Sequence, residues 1–380
     1  MLKIVTVIGA RPQIIKASAL SRAIKTHYNQ EVREVLVHTG QHYDQQMSEV
    51  FFKELQIPKP DYNLGIGSGT HGTQTAGMIE GLEQILIREK PNFLLVYGDT
   101  NSTLAAAVTA SKLHIPIAHV EAGLRSFNKA MPEEINRILC DHTSTLLFSP
   151  TQTGINNLIS EGFGTSNKGP YHVDNPGVFN VGDVMYDNSL FFSELAQNQS
   201  RILERIALKN KEFVLCTVHR PQNVDNTSNL KSIMEALISI ADSGMPLVLP
   251  LHPRTRKQLE SPFEGNPWAN LQTHEHIHLL EPVSFLDMIS LQKNSKMIIT
   301  DSGGIQKEAF FFGKPCIVLR PETEWVEIID KGAGILCDSD PLRISNAYKH
   351  FQHYDTPPTD GIYGNGNAAE KILSIMINDC

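Results

Sequence analysis

Short apolar runs rich in β-branched residues alternate with helical stretches along nearly the whole chain. This alternation predicts parallel strands joined by helical crossovers, and hence sheets covered by helices on both faces. In the first half we predict strands at residues 3–9, 32–40, 92–99, 115–123 and 145–150. In the second half we predict them at residues 213–219, 246–252, 277–282, 297–302, 316–320 and 334–338. The predicted fold class is α/β, with doubly wound parallel sheets.

The length of the chain predicts two domains, because one hydrophobic core rarely serves 380 residues. A stretch rich in Gly, Pro and Asn, residues 162–188, breaks the alternation and is the candidate crossover between them. A last helix is predicted at residues 367–377. We therefore expect two doubly wound domains that face each other across a cleft.

Charge and cysteine content argue against several classes of function. The net formal charge of −8 disfavours an extended surface for nucleic acids or anionic membranes. No apolar run is long enough to span a membrane, and the N-terminus lacks a signal-peptide pattern. The five cysteines are odd in number and form no C-x-x-C pair, which indicates reduced thiols. We expect a cytoplasmic protein that binds neither nucleic acid nor membranes.

Ionisable side chains gather where the predicted strands end, which is where open α/β sheets bind ligands. They include Arg11, Asp99, Glu121, Glu133 and His219. Several carboxylates in one shielded place push each other's pKa values apart, as a general acid and a general base require. Structural alternatives stay open: Asp99 could cap a helix, Glu121 could serve a turn, and Glu133 could stabilise a first helical turn.

A second candidate site begins at Asp301, where a predicted strand leads through Ser302, Gly303 and Gly304 into a helix. Such a turn leaves backbone N–H groups unpaired beside the positive end of the helix dipole, which suits a phosphate. Glu308, one turn further along, could accept hydrogen bonds from ribose hydroxyls. The pattern indicates a nucleotide, although a tight strand-to-helix connection is the structural alternative.

Two other motifs are weaker. Residues 67–72 match G-x-G-x-x-G but lie outside a convincing βαβ unit, so we do not expect a dinucleotide there. Residues 274–278 read His-Glu-His-Ile-His, but no partner ligands with the right spacing support a metal site. We expect neither a metal nor an organic cofactor.

With these residues the chain resembles the non-hydrolysing UDP-N-acetylglucosamine 2-epimerase family along essentially its whole length. The resemblance is carried, in order, by Gly9-Ala10-Arg11-Pro12, His38-Thr39-Gly40-Gln41-His42, Tyr97-Gly98-Asp99-Thr100, His119 to Arg125, Pro132 to Arg137, Thr217-Val218-His219-Arg220 and Asp301 to Gln306. It implies a GT-B fold whose last helix returns to the first domain. The implied domains are 1–175 with 365–380, and 176–364, with UDP held mainly by the second.

The resemblance also implies an isomerase that eliminates UDP to a glycal and adds it back, giving the C2 epimer of a UDP-N-acetylhexosamine. It implies a homodimer, a UDP-sugar as the binding partner, and a place in the synthesis of a surface polysaccharide or O-antigen precursor. By matched motif, the catalytic residues are Asp99, Glu121, Glu133 and His219. The matched substrate and UDP ligands are Arg11, Lys16, Ser302, Gly303, Gly304, Glu308 and Arg320. Gln41 and His42 match a segment that binds a second, activating UDP-sugar in some members.

Departures from the family pattern point to a subgroup. Gln13 stands where the plain UDP-N-acetylglucosamine enzymes have Glu, and Trp325 stands where they have an arginine. These differences resemble the enzymes for UDP-2,3-diacetamido-2,3-dideoxy-glucuronic acid, and Gln13 would repel an acidic sugar less than Glu. A GT-B glycosyltransferase is the main alternative function; a hydrolysing epimerase and a non-catalytic nucleotide-sugar sensor are further ones.

Overall fold

The structure is a computed structural model that describes residues 1–41, 57–209, 212–354 and 361–379. The chain divides into two compact units, of which the first contains Met1–Asn188 and Gly361–Cys380 and the second contains Ser189–Asp360. Each unit is built on one parallel sheet. No helix in the described part of the chain is both long and apolar enough to cross a membrane.

The first unit contains a sheet of seven parallel strands. The strands are β1 Leu2–Ile8, β2 Val32–His38, β3 Tyr62–Asn63, β4 Phe93–Tyr97, β5 Ile117–Val120, β6 Leu146–Ser149 and β7 Gly177–Asn180, in the order β3-β2-β1-β4-β5-β6-β7. The helices between them are α1 Arg11–His27, α2 His71–Glu89, α3 Asn101–Lys112, α4 Pro132–Thr143 and α5 Gln152–Ser160. The order 3-2-1-4 at its centre is that of a doubly wound sheet.

The central strands of this sheet are buried on both faces because helices cover both sides. All five residues of β4 are buried, as are the four of β5. The helix starts follow local chemistry: Pro12 lies in the first turn of α1, and Thr100 caps α3 by accepting from Thr103 N. Strand β7 lies within the Gly/Pro/Asn-rich stretch predicted as a crossover, and it pairs with β6.

The second unit contains a sheet of six parallel strands. They are β8 Val214–Thr217, β9 Leu247–Pro250, β10 Ile277–Leu280, β11 Met297–Thr300, β12 Cys316–Val318 and β13 Gly334–Leu336, in the order β10-β9-β8-β11-β12-β13. After α6 Val184–Gln199, which begins in the first unit, its helices are α7 Ile202–Arg205, α8 Pro221–Val224, α9 Thr227–Asp242, α10 Pro253–Glu260, α11 Trp268–Thr273, α12 Phe285–Asn294, α13 Gly303–Phe311, α14 Val326–Asp330 and α15 Pro341–Gln352. The order is again that of a doubly wound sheet.

The last helix, α16 Ala368–Asn378, belongs to the first unit and packs against α1. Its start is held by Asp187, whose carboxylate accepts from Ala368 N at 3.1 Å and from Ala369 N at 2.8 Å. A carboxylate at this position satisfies two of the unpaired N–H groups and favours the helix dipole.

Candidate functional site

Both sheets reverse their winding direction at one position, which opens a crevice at the carboxyl ends of the strands. In the first unit this position lies between β1 and β4, and in the second between β8 and β11. Most of the described residues predicted from sequence follow strand ends within their own units.

In the first unit, the turn from β1 to α1 is fixed by Gln13. Its side-chain oxygen accepts from Gly9 N at 2.9 Å and Ala10 N at 3.2 Å, and its amide donates to Tyr97 O at 2.9 Å and Thr103 Oγ1 at 3.0 Å. The side chain is only 1% exposed. The structure therefore offers no support for a role of Gln13 in tolerating an acidic sugar, since its polar atoms are all engaged by backbone groups and by the Thr103 hydroxyl.

Glu121 forms an ion pair with Lys16, which lies in the second turn of α1. Gly98 leaves room for this pair, because a Cβ there would lie 3.2 Å from Lys16 Nζ and 3.3 Å from Glu121 Oε2. Glu121 itself has a φ of +74°, a conformation that costs a residue with a side chain of order 1–3 kcal/mol and persists where the surroundings enforce it. A charged pair beside a strained backbone favours a functional role over an ordinary turn residue.

Asp99 follows β4 and forms an ion pair with Arg137 of α4. Its backbone carbonyl accepts from Asn136 Nδ2 at 2.9 Å. Since Thr100 caps α3, Asp99 is not the capping residue of that helix. Its side chain keeps 30% of its surface exposed, so the carboxylate is anchored and still accessible to a ligand.

Glu133 and Glu134 are neighbours in the first turn of α4, but they differ in burial and in hydrogen bonding. Glu134 is 1% exposed and accepts from Ser126 N, Ser126 Oγ and Phe127 N at 2.9–3.0 Å, and from Arg137 at 2.9 Å. Burial opposes ionisation of Glu134, but these hydrogen bonds and the Arg137 charge hold its pKa below the usual value. Glu133 is exposed and makes no hydrogen bond or ion pair with another described residue. The structure does not bring Glu133 into contact with Asp99 or Glu121.

The remaining predicted residues of the first unit are Arg11, Gln41 and His42. Arg11 is exposed at the first position of α1. The side-chain oxygen of Gln41 accepts from Ser102 Oγ at 2.7 Å and Ser102 N at 3.2 Å, at the start of α3. His42 lies outside the described residues.

In the second unit, the carboxylate of Asp301 orients His219. It accepts from the backbone N–H groups of His219 and Arg220 and from Asn223 Nδ2 at 2.9–3.1 Å, and His219 Nδ1 lies 3.1 Å from Asp301 Oδ1. Burial opposes ionisation of Asp301, but His219 and the backbone donors hold its pKa below the usual value. With Nδ1 donating to Asp301, the Nε2 of His219 remains to meet a ligand, and the side chain is 38% exposed.

The strand-to-helix turn after Asp301 has the expected shape. Ser302 caps α13, with its hydroxyl accepting from Ile305 N, and Gly304 is exposed. A Cβ on Gly303 would lie only 2.4 Å from Glu324 Oε1, so the close approach of Glu324 requires glycine. Arg320 pairs with Glu324 at 2.8 Å. Arg320 thus balances the charge of the carboxylate that lies beside the start of α13.

Glu308 is the most perturbed carboxylate of this site. It is 9% exposed and accepts from Gln292 Nε2 at 2.7 Å. Burial raises its pKa to about 7, and Gln292 and Lys307 oppose this only in part. Gln292 was not predicted, because nothing in the sequence around it distinguishes a buried partner from an ordinary residue of α12.

Trp325, which replaces the expected arginine, is buried at 6% exposure. The Nζ of Lys307 lies 4.1 Å from the centre of its ring. A lysine in this position makes a cation–π contact. The neighbourhood of α13 therefore contains a cation supplied by the helix itself.

The two weaker motifs have structural roles. Thr70 and His71, within residues 67–72, are the cap and first residue of α2. His274 pairs with Asp242 at 3.1 Å, and its Nδ1 accepts from His276 N at 3.1 Å. Among the described residues, no group of three or more His, Cys, Asp or Glu is placed to hold a metal ion.

Comparison with known proteins identifies relatives over the full length. The model of the family described as UDP-N-acetylglucosamine 2-epimerase matches residues 24–377. A UDP-2,3-diacetamido-2,3-dideoxy-D-glucuronate 2-epimerase from Pseudomonas aeruginosa is 47% identical, with 99% of each chain covered. A UDP-N-acetylglucosamine 2-epimerase from Methanocaldococcus jannaschii is 39% identical, with 99% of each chain covered.

Solved structures of UDP-GlcNAc 2-epimerases also match this chain. The M. jannaschii UDP-GlcNAc 2-epimerase in complex with UDP-GlcNAc and UDP matches with a TM-score of 0.83 at 39% identity, covering 99% of this chain and 100% of that one. The Neisseria meningitidis enzyme bound to UDP-GlcNAc matches with a TM-score of 0.84 at 30% identity and the same coverage. A glycosyltransferase from Rickettsia africae reaches 0.57 at 14% identity, which shows shared fold alone. The α/β fold class of the GT-B type is confirmed, and the epimerase prediction is favoured over the glycosyltransferase.

Proposed function

This chain belongs to the UDP-N-acetylglucosamine 2-epimerase family, and we propose that it is a non-hydrolysing 2-epimerase of a UDP-N-acetylhexosamine. The observation that carries the proposal is the cluster in the first unit. There the ion pair of Lys16 and Glu121 lies against the Gly98 turn, next to Asp99. Charged groups held this firmly at strand ends suit proton transfer at a substrate.

The C2 proton of the sugar has no adjacent carbonyl to make it acidic, so it is lost together with UDP. The chemistry needs proton-transfer groups on both faces of C2, because the proton leaves from one face and returns on the other. Loss of UDP from C1 breaks the C1–O bond while a base removes the C2 proton, which leaves a glycal. Re-addition forms the C1–O bond again and places a proton on the other face of C2. No redox partner is consumed, and substrate and product differ only at C2.

We assign the proton transfers to the first unit. Asp99, Glu121 and Glu133 are the proposed acid and base groups, and Lys16 orients Glu121 through their ion pair. Positioned acid–base groups contribute about 10²–10⁴-fold to a rate. Glu133 belongs to this set by its family motif, and its exposed, unengaged side chain is compatible with meeting a substrate.

We assign nucleotide binding to the second unit. The N–H groups of Gly303 and Gly304 suit the diphosphate, and the buried carboxylate of Glu308 suits the ribose hydroxyls. Ser302 is a proposed ligand by its motif, since its own N–H donates to Thr300 Oγ1 at 3.0 Å. His219, oriented by Asp301, would stabilise the departing diphosphate charge. We add Arg11 and Arg320 as further proposed diphosphate ligands by motif.

We propose UDP-2,3-diacetamido-2,3-dideoxy-glucuronic acid as the preferred sugar nucleotide. The support is the P. aeruginosa relative and the pair of Lys307 with Trp325, which replaces the arginine of the plain enzymes. The burial of Gln13 removes one argument that the sequence offered for this choice.

Proton NMR in D2O tests the function and the substrate together. The enzyme is supplied with UDP-N-acetylglucosamine in one sample and the diacetamido uronic acid in another. Deuterium at C2 of a new manno-configured UDP-sugar supports the epimerase, and the faster sample identifies the preferred sugar. Unlabelled, unchanged substrates in both samples would contradict it and favour a transferase or a sensor.

We infer a homodimer, a cytoplasmic location and a role in a surface polysaccharide or O-antigen precursor from the family. The buried free thiols of Cys140, Cys216, Cys316 and Cys337 are compatible with a reducing compartment. Light scattering after size exclusion tests the dimer.

We also propose, by motif, that a second UDP-sugar binds at Gln41 and His42 and activates the enzyme. The test is whether UDP-N-acetylglucosamine accelerates the reverse reaction.

A further inference from the structure

His119 lies in β5, two residues before Glu121, and is fully buried. Its Nδ1 is 2.6 Å from Asp141 Oδ1, and its Nε2 is 2.8 Å from the carbonyl oxygen of Gly98. Both partners are acceptors. A carbonyl has no proton to give, so Nε2 must carry one.

The other partner, Asp141, is ionised because its carboxylate accepts from several donors at once. Besides His119, the Asp141 carboxylate accepts from Gly123 N at 3.1 Å and pairs with Arg125 at 2.8 Å. A carboxylate with these donors leaves Nδ1 of His119 to donate as well. A ring that donates from both nitrogens is an imidazolium.

The groups around the ring support this state. Burial alone would lower the pKa of His119, but its neighbours Cys140 and Asp141 raise it well above the usual value. Burial would raise the pKa of Asp141, but His119 and Arg125 hold it below the usual value. The positive charge of Arg125 is shared with Glu161, with contacts of 2.6 and 2.7 Å.

Two turns depend on this pair. The carbonyl of Gly98 accepts from His119 and its N–H donates to Val120 O at 3.0 Å, so the residue before Asp99 is held by both of its backbone polar groups. Gly98 has a φ of +61°. The other oxygen of Asp141 holds Gly123, which has a φ of +81° and follows Glu121 by two residues.

We propose that His119 and Asp141 are positioning residues for the 2-epimerase reaction. Their buried imidazolium–carboxylate pair fixes the two turns that present Asp99 and Glu121, so that both carboxylates keep one geometry. Neither residue touches the substrate. The inference rests on the proposed catalytic roles of Asp99 and Glu121.

The first experiment measures the protonation state in the unmodified protein. With ¹⁵N-labelled histidine, an imidazolium gives two one-bond N–H correlations, and a neutral ring gives at most one. We expect a buried histidine with both correlations at pH 8.5, where exposed histidines are neutral. A neutral ring for His119 at that pH would overturn the proposal, and this result does not depend on any activity.

The second experiment uses the Asp141→Asn variant, which keeps the shape and removes the charge. We expect kcat to fall about 10- to 100-fold with KM changed less than about threefold, because a shift of about 1 Å at a catalytic group can cost 10²-fold. One ring N–H correlation of His119 should disappear as well. Unchanged kcat in a variant that has lost the imidazolium would overturn the positioning role.

A matched control separates positioning from general destabilisation. Glu34 of β2 is a carboxylate in the same sheet that accepts from Thr6 Oγ1 and Ser21 Oγ, both at 2.7 Å. Glu34→Gln should lower the melting temperature without changing kcat more than about twofold, since it alters hydrogen bonds away from the strand ends. If instead Asp99→Asn and Glu121→Gln retained full activity, the proposed function would fail while the NMR result stood.

Discussion

The side-chain amide of Gln292 donates a hydrogen bond of 2.7 Å to Oε2 of Glu308, and both side chains are buried. The carboxylate therefore has its orientation fixed before a ligand arrives. Burial raises the pKa of Glu308 to about 7, so the protonated and the ionised forms are both populated near neutral pH.

Nucleotide affinity should depend on this titration. Ribose hydroxyls donate best to the ionised carboxylate, which is lost as the pH falls through about 7. We expect the Kd of UDP to rise as the pH is lowered from 8 to 6, by at most about tenfold per unit below the pKa. Titration calorimetry at several pH values measures it.

The Glu308→Gln variant is the control for that titration. UDP has a phosphate that titrates in the same range, and this contribution is common to both proteins. The variant should bind UDP more weakly at pH 8 and show the shallower pH dependence. Equal pH profiles for the two proteins would mean that Glu308 does not meet the ribose.

The adjacent glutamates of α4 should separate catalysis from stability. Glu133→Gln should lower kcat about 10²–10⁴-fold and leave the melting temperature unchanged, because the side chain is exposed. Glu134→Gln should cost about 1–3 kcal/mol of stability, because an amide cannot accept all four of its hydrogen bonds.

Activity assays and thermal unfolding of the two variants measure this. The substitutions are chemically identical and one residue apart, so each is the control for the other. A large loss of stability in Glu133→Gln, or full activity in it, would show that the family motif does not transfer to this position.

Sequence was sufficient for most strands of the two sheets because apolar runs and crossovers are local signals. The predictions at 92–99 and 115–123 contain β4 and β5, whose residues are buried on both faces. Strand β7 was missed because Gly177–Asn180 lacks a continuous apolar run. It is a strand because β6 offers an open edge to pair with, and such tertiary pairing outweighs local preference.

The partners of the site residues could not be predicted in the same way. Lys16 and Glu121 are 105 residues apart in the chain, and their contact depends on the neighbouring positions of the β1 and β5 ends around β4. Gln13 faces the protein interior, which its exposed neighbours Arg11 and Pro12 do not reveal. Sequence motifs identified the residues, and the fold determined which of them have hydrogen-bond or ion-pair partners within the protein.

Glu121 should be essential for turnover and dispensable for the nucleotide. Its ion pair with Lys16 lies in the first unit, whereas the proposed UDP ligands other than Arg11 and Lys16 lie in the second. We expect Glu121→Gln to lower kcat about 10²–10⁴-fold while the Kd of UDP changes less than about threefold. Deuterium incorporation and titration calorimetry measure the two effects, and a large loss of UDP affinity would indicate a structural residue.

Gln13→Glu tests whether this position selects the sugar or supports the fold. The amide of Gln13 donates to Tyr97 O and Thr103 Oγ1. An ionised carboxylate in its place has no proton to donate, and its negative charge would repel the carbonyl oxygen of Tyr97. We expect a loss of about 1–3 kcal/mol, from unpaired buried groups. The loss should grow as the pH rises, because burial favours the protonated acid and its ionisation then costs stability. Thermal unfolding between pH 5 and 8 measures it, and the ratio of kcat/KM for the two UDP-sugars should stay constant. A changed ratio with unchanged stability would return Gln13 to the substrate site.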